Sequence, residues 1–372
     1  MITLEIPEDA QISGTVTFSK VTTIQANKDI SIVSVNSKAF TSEASIVYPV
    51  EEWGTEYYIV TPNNGPPEGL KEFCVINNQE TNNINIYLKG AVIFDNLLYP
   101  AGTTLSVMLK PLQAIQIQSE DDLSGTRIMS SKPSGVLTGH SLTSQNSKGN
   151  HVYEQLLPTT SWGNTFIVPA VPFQTKSDFV FIAASKNTRV DFQAGIIKKS
   201  QNLVAGQVIT LEVTTLRPLY IKATAGIQVI LYFTGLTGGY DIINNPFIIN
   251  IPDVGSYCTS YFTYGLDKFD NYAILVTERS ATREITSNKL PLSGQQWIPI
   301  EGTDYSWSYF PVGKKLSSDL IEGKSPFMLL NFGVSQRDGY GSLGICIDGM
   351  YNRFLTLSKP VSMSAYLRDC LP

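Results

Sequence analysis

A chain of 372 residues is long enough to fold as several domains, each with its own core. Only 16% of the residues are charged, the net charge is −5, and the basic residues form nothing larger than pairs such as Lys198-Lys199 and Lys314-Lys315. This excludes the concentrated basic face that nucleic-acid binding needs, and no apolar run reaches the ~20 residues of a membrane-spanning helix.

In chain order the sequence is a succession of strand signals. Residues 15–18, 29–35, 84–88, 104–109 and 208–213 alternate apolar with polar side chains, the pattern of half-buried strands. Turn residues separate such runs at Asn63-Asn64-Gly65-Pro66-Pro67, Ala101-Gly102, Ala205-Gly206, Gly238-Gly239 and Asp338-Gly339. Helical periodicity over ten or more residues is absent. The first residues, Met1-Ile2-Thr3-Leu4-Glu5, carry neither the basic nor the apolar region of a secretory leader.

The strands recur as copies. Trp53-Gly54, leading into Tyr57-Tyr58-Ile59-Val60, reads again as Trp162-Gly163, leading into Phe166-Ile167-Val168-Pro169. Phe73-Cys74-Val75-Ile76 with Gly90 matches Phe179-Val180-Phe181-Ile182 with Gly195, and Gly102 matches Gly206. A weaker third copy is expected at Pro246-Phe247-Ile248-Ile249-Asn250-Ile251-Pro252, continuing at Tyr272-Ala273-Ile274. A period of about a hundred residues exceeds a solenoid repeat and suits a copied sandwich. The expectation is an all-β protein of tandem β-sandwich-like units packed in series. Its units run 43–140, 141–236 and 237–336, with opening strands over 1–42 that complete a unit and C-terminal strands over 337–372. Because Ile32-Val33-Ser34-Val35-Asn36 occupies the place of a closing strand, the chain is expected to open inside a unit.

Four cysteines allow three pairings; Cys346 and Cys370, both in the tail, are the expected disulfide, with Cys74 a buried free thiol. His140 and His151 are the only histidines, and neither has the three or four neighbouring ligands of a zinc site. No nucleophile elbow, phosphate loop or His-Glu-x-x-His motif occurs, so no catalytic residue, metal or cofactor is expected. Trp53 and Trp162 read as core plugs. Glu154 and Gln155 read as side chains that satisfy backbone amides at a unit junction, since Glu51 and Glu52 hold similar places in the first copy. Trp297, Tyr305, Trp307 and Tyr309 form a dense aromatic stretch and are the expected ligand-binding patch.

The segment Gly139-His140-Ser141, then Asn150-His151-Val152-Tyr153-Glu154-Gln155-Leu156-Leu157-Pro158, then Trp162-Gly163, resembles the signature of the IgG Fc-binding protein N-terminal domain family. Gly125-Thr126-Arg127-Ile128-Met129-Ser130-Ser131-Lys132-Pro133 is similar to a further block of it. The resemblance makes Trp53, Gly54, His151, Glu154, Gln155, Pro158, Trp162 and Gly163 signature residues with a structural role. Leu142 and Gly149 stand where the family usually has two cysteines, so one disulfide is expected to be missing and its loop looser. The resemblance implies a secreted, non-enzymatic binding or scaffold module of mucus-type proteins, recognising immunoglobulin Fc or mucin glycoproteins. A lectin-like glycan-binding adhesion module is the alternative. A β-sandwich hydrolase, from a different class, would need two carboxylates ~5–10 Å apart in a cleft.

Overall fold

A computed structural model of the chain describes residues 3–347, apart from 7–11, 28–29, 39, 64, 67, 145–148, 215–216, 239–241, 293 and 314–317, together with 363–367. The described helical segments are short 3-10 stretches of three to six residues, and everything else regular is antiparallel sheet.

Three stretches share one plan. Each begins with a 3-10 turn, Val50–Glu52, Thr159–Ser161 or Val254–Ser256. An edge strand follows, Gly54–Tyr58 or Thr165–Val168, its place taken in the third unit by Cys258–Phe262, which is paired on both sides; then comes a central strand, Lys71–Asn77, Asp178–Ala184 or Asp270–Glu278. A long closing strand finishes the unit. In the first unit this strand, Arg127–Thr143, pairs with Gly54–Tyr58 and Asn82–Tyr87 along its first half and with Lys71–Asn77 along its second. A register shift between Met129 and Ser134 bends it between the two ladders. Leu320–Ser335 behaves likewise in the third unit. In the second unit the same path is broken into Leu219–Ala223 and Ile227–Phe233.

The central strands explain the stacking in series. Successive side chains of a strand point to opposite faces, and here both faces are covered. Phe73 and Val75 share a core with Phe181 and Ala183 of the second unit. Val180 and Ile182 share the next core with Ile274 and Val276 of the third. Cys74 and Ile76 face an outer core on one side of the stack, and Ala273 and Leu275 face another on the other side. Each enclosed Val, Ile, Leu or Phe contributes ~1.5–3 kcal/mol, so the shared cores bind the units as strongly as the private ones do.

Each closing strand also pairs with the strand that follows its unit. Leu137–Thr143 pairs with Asn150–Gln155, Ile230–Phe233 with Phe247–Asn250, and Leu330–Ser335 with Asp338–Leu343. Ile32–Lys38 and Thr41–Val47 form a hairpin of the same kind ahead of the first turn, and Val16–Phe18 joins the first unit's sheet beside Ala114–Ser119.

Two expectations about register need correction. The stretch 246–252 does not correspond to the strand after Trp-Gly; it precedes the third turn, and Tyr257 occupies the place of Trp53 and Trp162 at the turn's end. Gly206 does not correspond to Gly102 either. Val208–Val213 pairs with its central strand as Ala114–Ser119 does, whereas Thr104–Leu109 corresponds to Ile197–Leu203. An additional hairpin in the first unit, Val92–Phe94 with Leu97–Tyr99, keeps the spacing similar and conceals the shift.

The expected disulfide is also corrected. Cys346 is bonded to Cys258, 88 positions away, and Cys370 lies outside the described residues. The sheet makes this pairing natural, because Cys258–Phe262 and Ile345–Cys346 are neighbouring antiparallel strands. Cys74 is a buried free thiol.

Candidate functional site

The signature tryptophans have like surroundings. In both copies a proline N-caps the 3-10 turn in an extended conformation, and the tryptophan closes it. Trp53 Nε1 donates to the Tyr48 carbonyl at 3.2 Å, and Trp162 Nε1 donates to the Leu157 carbonyl at 3.0 Å, each five residues upstream. Trp53 lies over Gly135 and Trp162 beside Gly226. The glycine that follows is required by close approach: a Cβ on Gly54 would lie 2.3 Å from Pro158 Cβ, and one on Gly163 would lie 2.1 Å from Asp253 Cγ. Pro158 and Asp253 are the N-caps of the next unit's turn. Each Trp-Gly therefore seats the turn of the unit that follows. Side chains reinforce this: Thr159 Oγ1 donates to Glu56 Oε2, and Asn164 and Thr165 amides donate to Asp253 Oδ2.

Four strands, Thr41–Val47, Asn150–Gln155 and Phe247–Asn250, which open the three units, and Asp338–Leu343, which follows the third, converge on a buried polar junction. Asn150 Nδ2 donates to the carbonyls of Ser42, Pro246 and Gly339, and its Oδ1 accepts from the Ser42 amide. One side chain thus touches all four strands' chain segments. Glu43 Oε2 accepts from the Ile248 amide, and its Oε1 accepts from the Gly341 and Ala44 amides. Glu154 Oε1 accepts from the Asn250 amide at 3.3 Å, and Gln155 Oε1 accepts from the Tyr48 amide.

Burial holds the Glu43 carboxyl well above the usual carboxylate range, and the charge of Glu154 pushes it the same way. Burial raises Glu154 to about 8 against hydrogen bonds that lower it. Asp338, whose Oδ2 accepts from Ser42 Oγ, is raised by burial to about 6. A hydrolase reading would want such a pair of carboxyls, but Glu43 and Glu154 are fully enclosed and answer backbone amides across unit boundaries.

The raised carboxyls fix the sign of a pH effect. The native protein holds protons that the unfolded chain releases above its ordinary carboxyl pKa. Glu154's contribution is therefore fully present below about 4.5 and is lost as pH rises through about 8. Thermal melts are expected to show stability falling from pH 5 to pH 8, with a limiting slope of ~1.4 kcal/mol per pH unit for each such group. Glu154→Gln should flatten the profile; an unchanged slope would remove Glu154 as its cause.

The histidines serve the same scaffold. His140 Nδ1 accepts from the Leu142 amide, and burial first, then the Lys71 and His151 charges, lowers His140 to about 3, so it is neutral. His151 Nε2 lies 3.3 Å from Glu72 Oε1, and its ring stacks on Tyr153. Among the described residues no three His, Cys, Asp or Glu side chains are grouped to hold a metal. Where the family's cysteines are replaced, Leu142 packs over Gly149: a Cβ there would meet Leu142 Cδ1 at 3.0 Å. The residues that the looser loop was expected to involve, 145–148, lie outside the described ones.

Of the four aromatic candidates the structure encloses Trp307 and leaves Trp297, Tyr305 and Tyr309 partly exposed. Trp307 is 0% exposed and Phe310 is buried; Tyr305 and Tyr309 are half-buried against one core and Trp297 against another. The strand Tyr305–Val312 pairs with the central strand of its unit, and this places alternate rings in opposite cores.

Exposed apolar side chains gather elsewhere, at one connection that recurs in all three units. It joins Asn82–Tyr87 to Thr104–Leu109, Thr188–Ala194 to Ile197–Leu203, and Thr286–Ser287 to Leu290–Pro291. The first carries Ile93, Leu97 and Leu98, 61–66% exposed; the second carries Ile196 at 82% and Ile197; the third carries Leu290 at 71%. Left-handed residues make each tip: Asp95 and Asn96, Gly195, and Asn288 and Lys289. Sequence reasoning missed these residues, although Asp95-Asn96 between two apolar runs is a hairpin signal.

The shared plan, with turn-seating Trp-Gly pairs and exposed tips, defines a tandem all-β protein that presents surface loops from a continuous stack. The sequence model of the family described as IgGFc binding protein matches residues 43–333. The chain is 32% identical over 346 residues to the IgGFc-binding protein of Homo sapiens, a match covering 93% of the chain and 6% of that protein. The chain belongs to the IgGFc binding protein family. It spans only a small part of its human relative's length. A solved structure described as "Structural insight into host cell surface retention of a 1.5-MDa bacterial ice-binding adhesin" covers 86% of the chain and is itself 98% covered, at 8% identity, but its TM-score of 0.12 carries no argument about the fold.

Proposed function

We propose that the chain is a secreted, non-enzymatic binding module that recognises immunoglobulin Fc or mucin-type glycoproteins through the three exposed turn tips. Family membership supports a binding module. The observation that carries the finer reading is the repetition: the same connection in each unit presents Ile93 with Leu98, Ile196 with Ile197, or Leu290 to solvent. Apolar side chains held outward on short turns are suited to fill pockets of a partner. Three tips on one rigid stack let weak contacts combine into strong attachment. Among the described residues, the crevice beside Trp162 and Asn250 holds about 20 Å³ and the one beside the disulfide about 50 Å³. A disulfide of this kind persists in an oxidising, extracellular setting.

The test is capture of purified Fc and of purified mucin by wild type and by Leu98→Asp, Ile196→Asp and Leu290→Asp variants. Each substitution is expected to weaken capture about tenfold (~1.4 kcal/mol), with larger losses in combination. Unchanged capture by the triple variant would contradict recognition through the tips. Loss of mucin capture on enzymatic deglycosylation, with no Fc binding, would favour the glycan-binding alternative.

A further inference from the structure

In the second unit three buried side chains that serve no ladder are brought together. Gln174 lies on the connection after Thr165–Val168, Asp178 begins the central strand, and Thr234 follows the closing strand Ile227–Phe233. Thr234 Oγ1 donates to the Ser177 carbonyl at 2.9 Å, accepts from Gln174 Nε2 at 3.4 Å and lies 3.3 Å from Asp178 Oδ1, a second acceptor for its proton. Asp178 Oδ1 also accepts from Gln174 Nε2 at 2.6 Å and from the Thr234 amide at 2.9 Å. The Gln174 carbonyl oxygen, Oε1, accepts from two successive backbone amides, Thr175 and Lys176, each at 3.0 Å.

These are the parts of an acyl-transfer site whose substrate is the protein itself. A hydroxyl lies against a carboxamide, a carboxyl touches both the hydroxyl and the amide nitrogen, and two amides point at the oxygen where negative charge would develop. We propose that Thr234 and Gln174 become joined by an intramolecular ester. Thr234 Oγ1 attacks Gln174 Cδ and forms the Oγ1–Cδ bond. The Thr175 and Lys176 amides stabilise the oxyanion. Asp178 takes the hydroxyl proton and passes it to Nε2, the Cδ–Nε2 bond breaks, and ammonia leaves. No oxidant or further reactant is consumed. Burial raises Asp178 to about 7, against hydrogen bonds from Thr234 and Gln174 that lower it, so both of its protonation states are accessible near neutrality. Enclosure also keeps water from the product, since Gln174, Asp178 and Thr234 are 6%, 5% and 0% exposed.

A purely structural need at this corner is met differently in the first unit. There Lys71 begins the central strand, and Ser141 follows its ladder with the closing strand, exchanging hydrogen bonds with the Leu70 backbone. Compared with the first unit, the second adds a carboxamide and an acid to the hydroxyl. The ester would tie the connection after the edge strand to the end of the closing strand, across 60 positions of chain.

Intact mass spectrometry of the full chain tests the proposal. With its Cys258–Cys346 disulfide reduced, the purified protein is expected to weigh about 17 Da less than its sequence, one ammonia lost per acyl transfer. Trypsin should yield one branched peptide containing Gln174 and Thr234, which hydroxylamine separates with a hydroxamate at position 174. Thr234→Ala and Asp178→Asn should restore the full mass, and Thr234→Ser should keep the link. An unmodified wild-type mass with residues 174 and 234 in separate linear peptides would overturn the proposal. A mass loss that persists in Thr234→Ala would overturn it equally.

Discussion

Removing the Cys258–Cys346 disulfide, by reduction or by paired Ser substitutions, is expected to lower stability by ~2–5 kcal/mol. The bond closes a loop with a sequence separation of 88, and constraining so long a loop in the unfolded chain places the effect near the top of that range. Its position adds a native-state role. It joins Cys258–Phe262 to the chain just after Asp338–Leu343, the last of the four strands at the polar junction. Urea unfolding with and without reductant measures the effect. A midpoint that does not move on reduction would show that the sheet alone holds this corner.

Trp53→Ala is expected to cost ~3–5 kcal/mol, the usual range for deleting an enclosed large aromatic. The indole fills the outer core with Cys74, Ile76, Ala114 and Leu137, and its Nε1 satisfies the Tyr48 carbonyl. Trp53→Phe should recover the packing and leave a loss of ~1 kcal/mol for the hydrogen bond. Trp162 makes the same bond but is only half-buried, so Trp162→Ala should cost less than Trp53→Ala. Equal or reversed losses would contradict the burial order. Denaturant titration of the three variants decides it.

The repeat, the all-β class and the structural character of the Trp-Gly pairs were legible because they rest on local signals: alternation, turn residues and two bulky landmarks. The third copy was misaligned because Tyr257 replaces tryptophan at the end of its turn, leaving only apolar strands to match, and apolar strands resemble one another. Proximity in the chain favours Cys346 with Cys370, whereas the sheet neighbours that bring Cys258 to Cys346 are set by topology. The aromatic stretch 297–310 was read as surface since composition marks large rings but not the face on which a strand buries them; with cores on both sides of the central strand, Trp307 and Phe310 both face inward. The burial of Glu43 and Asn150 was not legible, because a polar residue in a strand normally faces water. Only the convergence of four distant strands gives these side chains backbone partners and makes their burial tolerable.

Hydrogen exchange in Asn150→Ala tests most directly whether the units form one body closed at that junction. The Ser42 amide bonds Asn150 itself, while the Ile248 and Gly341 amides belong to later units and bond Glu43. Protection at all three amides is expected to fall together, by at least about tenfold, since removing ~1.4 kcal/mol from a shared opening affects every strand it joins. Faster exchange at Ser42 alone, with Ile248 and Gly341 protected as before, would contradict a common junction and leave three units that merely lie side by side.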